Sequence, residues 1–310
     1  MTKPMVSVVM ITYGHEQFIK QAIEGVLMQQ TDFEVEFIIA NDCSPDNTNS
    51  VVDQLRENHP NSKWIIYTRH TKNKGMTSNF IWALQQAKGK YIAVCEGDDY
   101  WTDTLKLQKQ VDFLEKNDDY NIVWTKFNKI DRIGQLIESD LPKFQSTLAD
   151  VTAENLLEIY RTWTLTVMFR SSVFNNVDFN KFKYLKDNTV YFLALKNNAL
   201  GKVLDLNTAN YRVHDTGVWS SNSDFQNNLA NYYNFSEIRK KVIDNRAIEN
   251  NTIKTIQLLY FSMIDHKLNQ NILFLYYNQL FPEMLRHLPL KDKLRFFKSY
   301  LKKFFERKTK

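Results

Sequence analysis

Apolar residues in the first part of the chain fall into two kinds of segment. Nearly unbroken apolar runs, typical of strands buried on both faces, occur at residues 6–11, 35–40, 64–67 and 91–95. Apolar residues at helical spacing occur at residues 16–29, 50–58 and 77–87. Because the two kinds alternate over about residues 1–130, the pattern predicts an α/β fold in which helices flank a mostly parallel, Rossmann-like sheet.

The alternation fades after residue 130. The pattern there predicts a loop at 131–147, a helix at 152–160, a strand at 165–169, a helix at 187–196 and an extended segment at 203–212. From about residue 225 onward the spacing is mostly helical, and helices are expected at 252–267 and 271–281. We therefore expect an α/β domain over residues 1–220 and a helical C-terminal extension over residues 221–310.

Charge is distributed unevenly along the 310 residues, whose net charge is +5. Residues 284–310 contain ten Lys or Arg and two Asp or Glu, so the rest of the chain is slightly acidic. Such a body is not expected to bind nucleic acid. Two cysteines form no disulfide framework, which favours a cytoplasmic location. The sequence contains no apolar stretch long enough to span a membrane.

Within the basic C-terminal segment, residues 284–310, residues 290–306 have the pattern of an amphipathic helix rich in Phe and Leu, with Lys and Arg on its other faces. One interpretation is a peripheral contact with anionic lipid on the inner face of the cell membrane. A packed terminal helix and an oligomer contact are the alternatives that the pattern leaves open.

Polar clusters follow three of the predicted strands. They read Thr-Tyr-Gly-His at 12–15, Asn-Asp at 41–42 and Glu-Gly-Asp-Asp at 96–99. In a parallel sheet these ends share one edge, where ligands bind. Three carboxylates in one turn repel each other, and a divalent cation that carries a phosphate-bearing ligand would hold them together. A glycine-rich dinucleotide loop and a P-loop are both missing.

The order and spacing of these motifs resemble glycosyltransferase family 2 over about residues 5–220. Segment 6–13 resembles the opening strand, segment 38–46 the V-D-D-G-S-T-D turn, and segment 73–79 the N-x-G region of that family. The Glu-Gly-Asp-Asp turn stands in place of the metal-binding D-x-D motif. Lys-Asp at 186–187 resembles the pair that carries the catalytic base, and Tyr-Arg-Val-His at 211–214 resembles the segment that closes the acceptor side.

The resemblance implies a GT-A fold, with a nucleotide-sugar-binding half over about 1–130 and an acceptor half over about 131–220. It also implies an inverting, metal-dependent transferase that moves a sugar from a nucleotide sugar, with a UDP-sugar favoured, to a glycan or lipid-linked acceptor in surface polysaccharide synthesis. Asp187 would be the catalytic base, and Mn²⁺ or Mg²⁺ would be bound by Asp98, Asp99 and His214. The donor-binding residues implied are Thr12, Tyr13, Asp42, Asn79, Glu96, Gly97, Asp98 and Arg212.

The sequence departs from the family pattern at four positions. Asn41, Cys43 and Glu96 replace two aspartates and a glycine, and Lys186 replaces the small or acidic neighbour of the base. A catalytically inactive nucleotide-sugar-binding module is therefore the alternative function. Turn formation by Asp42 and a structural role for His214 also stay open.

Overall fold

A computed structural model of the chain describes residues 3–141, 149–157, 163–217 and 222–265, with positions 280, 282, 286, 288–294 and 298. Contacts between Cα atoms divide the chain into two compact units, Met1–His214 and Asp215–Lys310. The predicted domain boundary between residues 220 and 221 lies within residues 218–221, which are outside the described part of the chain. It stays a prediction.

The first part of the larger unit contains the strands and helices predicted for it. The strands are β1 (Val6–Thr12), β2 (Val35–Asn41), β3 (Ile65–Arg69) and β4 (Tyr91–Val94). The helices between them are α1 (Ile19–Leu27), α2 (Thr48–Asn58) and α3 (Met76–Gln86). Every residue of β2 and β4 is buried. Burial on both faces explains why these strands appear in the sequence as apolar runs rather than as an alternating pattern.

The later elements of this unit differ more from prediction. They are β5 (Tyr100–Trp101), α4 (Lys106–Lys116), β6 (Tyr120–Ile130), β7 (Leu136–Leu141), β8 (Met168–Arg170), α5 (Asp187–Ala194) and β9 (Leu200–Arg212). The predicted strand at 165–169 is shorter at its start, since Thr164–Thr166 form a 3-10 turn. The helix predicted at 152–160 is wrong for residues 152–157, which form turns, and residues 158–160 lie outside the described part.

The predicted loop at 131–147 is wrong for residues 136–141, because β6 and β7 form an antiparallel hairpin. Residues 131–135 form its turn, and residues 142–147 lie outside the described part. Asp131 builds the turn, and its Oδ1 accepts hydrogen bonds from the backbone N–H groups of Ile133 and Gln135. Gly134 has a φ of +92°, a conformation in which glycine is favoured. Strand β7 was not predicted because it is largely exposed, so its sequence shows no run of buried apolar residues.

The strands form one sheet in the order β3-β2-β1-β4-β8-β6-β9-β5, and β7 pairs with β6. Pairings among β3, β2, β1 and β4 are parallel, as is the long pairing of β6 with β9. Strand β8 runs antiparallel between β4 and β6. The parallel pairings are the longer ones, so the predicted α/β class with a mostly parallel sheet is confirmed. The carboxyl ends of β1, β2 and β4 lie at one edge.

The smaller unit is helical where it is described. It contains α6 (Asp224–Lys241) and α7 (Arg246–Asp265), and Ser223 caps α6 through a reciprocal pair of hydrogen bonds with Gln226. Most of the predicted helix at 271–281 and of the basic C-terminal segment lies outside the described residues, so the membrane contact stays a prediction. Within the described residues, no helix has the length and apolar character needed to cross a bilayer.

Candidate active site

The three polar clusters predicted at strand ends meet at one edge of the sheet. The backbone N–H of Asp42 donates to the carbonyl of Thr12 at 2.9 Å, which joins the end of β2 to the end of β1. The backbone N–H of Gly97 donates to the carbonyl of Ile11 at 3.1 Å, which joins the turn after β4 to the same strand. The parallel register of these strands therefore places residues more than eighty positions apart side by side.

Gly97 sits against this junction with no room for a side chain. A Cβ at this position would lie 2.7 Å from Oγ1 of Thr12 and 2.9 Å from Nδ1 of His15. Both of those polar atoms are buried and make no hydrogen bond with the described residues. The glycine of the acidic turn thus allows the turn to approach β1 closely.

Asp98 lies between two imidazoles. Its Oδ2 is 3.1 Å from Nε2 of His214 and 3.8 Å from Nε2 of His15. Burial acts to raise the pKa of Asp98, but the hydrogen bond from His214 and the charges of both imidazoles outweigh it and lower the pKa. Burial lowers the pKa of His15, although Asp98 opposes that effect. Asp98 is consequently held in its ionised form at the centre of the cluster.

Asp99 binds the backbone of β9. Its Oδ1 accepts a hydrogen bond of 2.7 Å from the N–H of Arg212, and the residue is only 3% exposed. Burial, followed by the charges of Asp98 and Glu96, raises the pKa of Asp99 well above its usual range. Asp99 therefore connects the acidic turn to the end of β9, two residues before His214.

Arg212 is buried, and its guanidinium donates to protein acceptors. Nε donates to the carbonyl of Asp98 at 3.1 Å, Nη1 to the carbonyl of Arg132 at 2.9 Å and Nη2 to Oε1 of Gln21 at 2.7 Å. The group also lies 4.9 Å from the centre of the Phe18 ring, within the range of a cation–π contact. In this arrangement the arginine holds the acidic turn against α1 and the β6–β7 hairpin.

Asp187 acts electrostatically on Glu96 from a different part of the chain. Burial, followed by the charges of Asp98 and Asp187, raises the pKa of Glu96 to about 8. Asp187 is the first residue of α5, where its Oδ1 accepts a hydrogen bond from the N–H of Asn188 at 2.8 Å. Burial raises the pKa of Asp187, and Lys186 opposes this with its positive charge. The fold therefore brings the predicted base to the acidic turn.

Asp42 fixes a neighbouring loop through both carboxylate oxygens. Oδ1 accepts a hydrogen bond from the N–H of Lys74 at 2.7 Å, and Oδ2 accepts one from the N–H of Gly75 at 2.9 Å. Gly75 has a φ of +82°, which a glycine adopts without strain. The predicted turn role for Asp42 therefore takes the form of a long-range contact, which orders the segment before α3.

Two other predicted donor residues have contrasting surroundings. Asn79 is buried, with Nδ2 donating to the carbonyl of Ala40 at 2.9 Å and Oδ1 lying 2.9 Å from Nε2 of His70. Tyr13 is 49% exposed, so its ring is not part of the core. Asn79 supports the end of β2 from within, whereas Tyr13 is accessible to a ligand.

Cys95 lies below the acidic turn and is wholly buried. Its Sγ is 3.7 Å from the carbonyl oxygens of Glu96 and Asp99, and burial raises the pKa of the thiol. The thiol packs as a small apolar group with weak hydrogen bonds to the turn.

The donor atoms fit a divalent cation that shares its coordination with a substrate. Asp98 and His214 present a carboxylate oxygen and an imidazole nitrogen close together, and the Asp98 side chain is 20% exposed. The part of the chain that the structure describes has no group of three or more His, Cys, Asp or Glu arranged to hold a metal. Magnesium-type sites commonly use one or two protein ligands and complete the coordination with water and phosphate oxygens. The pair fits such a site.

Sequence reasoning missed several residues that the fold brings here. His15 belongs to the polar cluster at 12–15, but the sequence assigns it no role. The structure places it beside Asp98. Tyr191 lies one helical turn after Asp187, and that spacing alone would have placed both on one face of α5. Trp124, in β6, packs edge-on against the Tyr191 ring at a centroid distance of 5.2 Å. The sequence carries no signal for that long-range contact.

Comparisons with solved structures identify the fold. The chain is similar to Staphylococcus aureus TarS in complex with UDP-GlcNAc, with a TM-score of 0.67 and 19% identity over 93% of this chain and 82% of that one. It is also similar to the Pyrobaculum calidifontis mannosyltransferase PcManGT in complex with GDP-Man and Mn²⁺, with a TM-score of 0.59 and 12% identity over 97% and 86% of the two chains. The predicted GT-A fold is confirmed.

Sequence comparisons find relatives in bacteria. An uncharacterized protein of Mycobacterium tuberculosis is 33% identical over 218 residues, 69% of this chain and 60% of that protein. This chain thus spans about three fifths of the relative's length. The Escherichia coli UDP-Glc:alpha-D-GlcNAc-diphosphoundecaprenol beta-1,3-glucosyltransferase WfaP is 32% identical over 111 residues, 36% of this chain and 41% of that enzyme.

The family model described as glycosyl transferase family 2 matches residues 7–174, more than half of the chain. The matched segment includes all three strand-end clusters, of which the acidic turn is the third. The chain therefore belongs to glycosyl transferase family 2.

Proposed function

We propose that this protein is an inverting glycosyltransferase that moves a sugar from a nucleotide sugar to a hydroxyl group of a glycan or a lipid-linked saccharide, in the synthesis of a surface polysaccharide. One observation supports this proposal above all. The acidic turn at 96–99, the imidazoles of His15 and His214, and Asp187 come together at the carboxyl edge of the sheet. A silent binding module needs no base beside its ligand site, whereas a transferase does.

The nucleotide sugar is proposed to bind at the junction of β1, β2 and the acidic turn. Thr12, Tyr13, Asp42 and Gly97 would line this region, where Tyr13 is exposed and Gly97 permits close approach. A carboxylate has more acceptor positions than its two loop contacts use, so Asp42 can keep both and still accept from a uracil N–H. A UDP-sugar is favoured, and the UDP-GlcNAc bound by TarS supports this choice.

Mn²⁺ or Mg²⁺ is proposed to bind at Asp98 and His214, which present a ready carboxylate and imidazole. When bound, such an ion neutralises the negative charge of a departing diphosphate. A role for Asp99 as a further ligand would rely on Oδ2, since Oδ1 accepts the hydrogen bond from β9. The Mn²⁺ bound by PcManGT supports the choice of ion.

Asp187 is proposed as the general base. It takes the proton from the acceptor hydroxyl while that oxygen forms a bond to the anomeric carbon, and the bond from this carbon to the diphosphate oxygen breaks on the opposite side. One displacement of this kind inverts the anomeric configuration and needs no enzyme nucleophile. The raised pKa of Asp187 suits the role, because a base works best when its pKa approaches the working pH.

Arg212 and Asn79 are proposed to support the donor site from behind. A diphosphate contact for Arg212 would require its guanidinium to leave the acceptors on Asp98, Arg132 and Gln21. We therefore assign Arg212 to holding the acidic turn, and Asn79 to fixing the end of β2.

The acceptor is proposed to be a lipid-linked saccharide or a growing glycan. WfaP, which matches about a third of this chain, carries the name of an enzyme acting on a diphosphoundecaprenol-linked sugar. The basic segment at 284–310 is proposed to bring such an acceptor's membrane close to the enzyme. Liposome co-sedimentation of the full chain and of a chain ending at residue 283 measures this contact, and equal partitioning of the two would contradict it.

The reaction is tested by release of UDP from UDP-GlcNAc and UDP-glucose with Mn²⁺, with water as the acceptor. The wild-type protein should release UDP, EDTA should abolish the release, and Asp98→Asn should abolish both the release and the stabilisation of the protein by UDP with Mn²⁺. Asp187→Asn should retain this stabilisation and lose about 10²–10⁴-fold in turnover.

Asp118→Asn is the matched control, because Asp118 has a side chain that is 98% exposed. It should behave as wild type in both assays. If the donor stabilises the wild-type protein but neither wild type nor any variant releases UDP, the binding module would be favoured instead. Wild-type turnover in Asp187→Asn would remove Asp187 from the role of base.

A further inference from the structure

Behind the proposed base lies a set of buried polar atoms without hydrogen-bond partners. They are Oη of Tyr191, Nε1 of Trp124 and Oε2 of Glu96, and each makes no hydrogen bond of ordinary geometry with the described residues. Native proteins pair nearly all such atoms, because an unpaired buried polar group is destabilising. Three of them together indicate groups arranged for contacts that form when the site is filled.

The backbone fixes the relation of this set to Asp187. Asp187 and Tyr191 are four residues apart in α5, so both lie on the same face of the helix. The Tyr191 ring packs edge-on against Trp124 of β6, at 5.2 Å between centroids and 86° between planes. The tyrosine is 1% exposed, so its hydroxyl is buried within the fold.

Electrostatic effects on Tyr191 identify what surrounds its hydroxyl. Burial raises the pKa of Tyr191, and the carboxylates of Asp187 and Glu96 raise it further, whereas hydrogen-bonding groups of Thr164 and Trp124 lower it. Thr164 also faces Glu96, whose pKa it lowers. The hydroxyl therefore lies within electrostatic reach of both carboxylates and near the Thr164 and Trp124 side chains.

Counting donors and acceptors assigns a direction to the hydroxyl. The Trp124 indole N–H can only donate, so in a contact between these two side chains the phenol oxygen is the acceptor. The phenol proton is then available to a carboxylate, and Asp187 shares a helix face with Tyr191. Oδ1 of Asp187 already accepts from Asn188, so Oδ2 is the oxygen available for a second donor.

We propose that Tyr191 is a positioning residue for Asp187: its hydroxyl, on a ring held by Trp124, donates to the Asp187 carboxylate and holds it toward the acceptor. The inference rests on the proposed function of Asp187 as the base. Catalytic hydrogen bonds are often long in free enzymes and shorten when the substrates bind, which explains the absence of an ordinary hydrogen bond at this hydroxyl.

Tyr191→Phe tests the proposal, because the substitution keeps the ring contact with Trp124 and removes only the hydroxyl. In the assay of UDP release from UDP-GlcNAc or UDP-glucose, kcat should fall about 10-fold to 100-fold, as for other residues that orient a reacting group. The KM for the donor and its thermal stabilisation with Mn²⁺ should not change. A variant that loses its fold would lose donor stabilisation as well.

Tyr120→Phe is the matched control, since it removes a tyrosine hydroxyl that donates to the carboxylate of Asp150 at 2.8 Å elsewhere in the same unit. It should keep the wild-type kcat. Trp124→Phe, which removes the indole N–H, should lower kcat in the same direction as Tyr191→Phe. Unchanged kcat in Tyr191→Phe would overturn the proposal.

A double variant separates positioning from a general structural effect. Because Tyr191 acts through Asp187, Tyr191→Phe should cause no further loss of kcat in the Asp187→Asn background. An equal loss in both backgrounds would overturn the inference and leave the base intact. Wild-type turnover in Asp187→Asn, or no turnover in wild type, would overturn the proposed function and this inference together.

Discussion

Replacing Lys106 with methionine tests how the protein accommodates an amine in its core. Lys106 opens α4 and is fully buried, with Nζ donating to Oε1 of Gln110 at 2.7 Å. The amine lies 4.1 Å from the centre of the Trp101 ring. Burial lowers the pKa of Lys106 to about 7, although the charges of Cys95 and Asp103 oppose it. The neutral amine is therefore the form that the folded protein prefers above neutral pH.

The sign of the pH dependence follows from proton binding. The unfolded chain keeps this proton up to the ordinary pKa of 10.5, whereas the folded protein releases it near 7. Between these values the unfolded state binds more protons, so the free energy of unfolding rises with pH. The full difference corresponds to about 5 kcal/mol, and about 2 kcal/mol of it should appear between about pH 7 and about pH 9.

The measurement is urea denaturation of wild type and Lys106→Met across this pH range. Comparison at each pH cancels the titration of all other groups, and the hydrogen bond lost from Gln110 adds an offset that is independent of pH. The stability of wild type relative to the variant should rise by about 2 kcal/mol over the range.

Lys116→Met is the control, because Lys116 is exposed in the last turn of the same helix. Its difference from wild type should be flat with pH. A flat difference for Lys106→Met as well would show that Lys106 stays protonated in the folded state, and the reasoning from burial would be refuted.

Two further substitutions test the packing around the proposed donor site. Gly97→Ala places a Cβ 2.7 Å from Oγ1 of Thr12, so the acidic turn must move, and thermal stabilisation by UDP with Mn²⁺ should be lost while the fold is retained by circular dichroism. Stabilisation equal to wild type would contradict the close approach. Asn79→Ala removes the partners of the Ala40 carbonyl and of His70, and should lower the free energy of unfolding by about 1–3 kcal/mol with an unchanged donor KM. A raised KM at unchanged stability would instead make Asn79 a donor contact.

The sequence predicts the first half of the fold well because burial there is expressed locally. Strands β1, β2 and β4 are buried on both faces, so each appears as an apolar run that needs no knowledge of its neighbours. The end of each run then gives the position of a polar cluster. Parallel pairing converts three separate clusters into one site, and this step follows from general rules of topology.

Prediction fails where contacts between distant segments decide the structure. Strand β8 pairs with β4 and β6 in an antiparallel direction that no local pattern specifies. The same limit applies to side chains: a lysine and an arginine are expected at the surface, yet Lys106 and Arg212 are buried. The acceptors for Arg212 come from distant segments, and Lys106 packs over Trp101 of β5. Residue type therefore suggests chemistry, while the fold decides where each charged group lies.

The buried thiol of Cys95 makes the acidic turn open to direct kinetic observation. The chain has two cysteines, and Cys43 is partly exposed, so a thiol reagent should modify Cys43 first. Cys95 lies beneath Glu96 and Asp99 and can react only when the turn lifts away from it. In a Cys43→Ser protein, the rate of labelling would report how often this edge of the sheet opens on its own. Ligands that hold the turn closed would slow the labelling of Cys95.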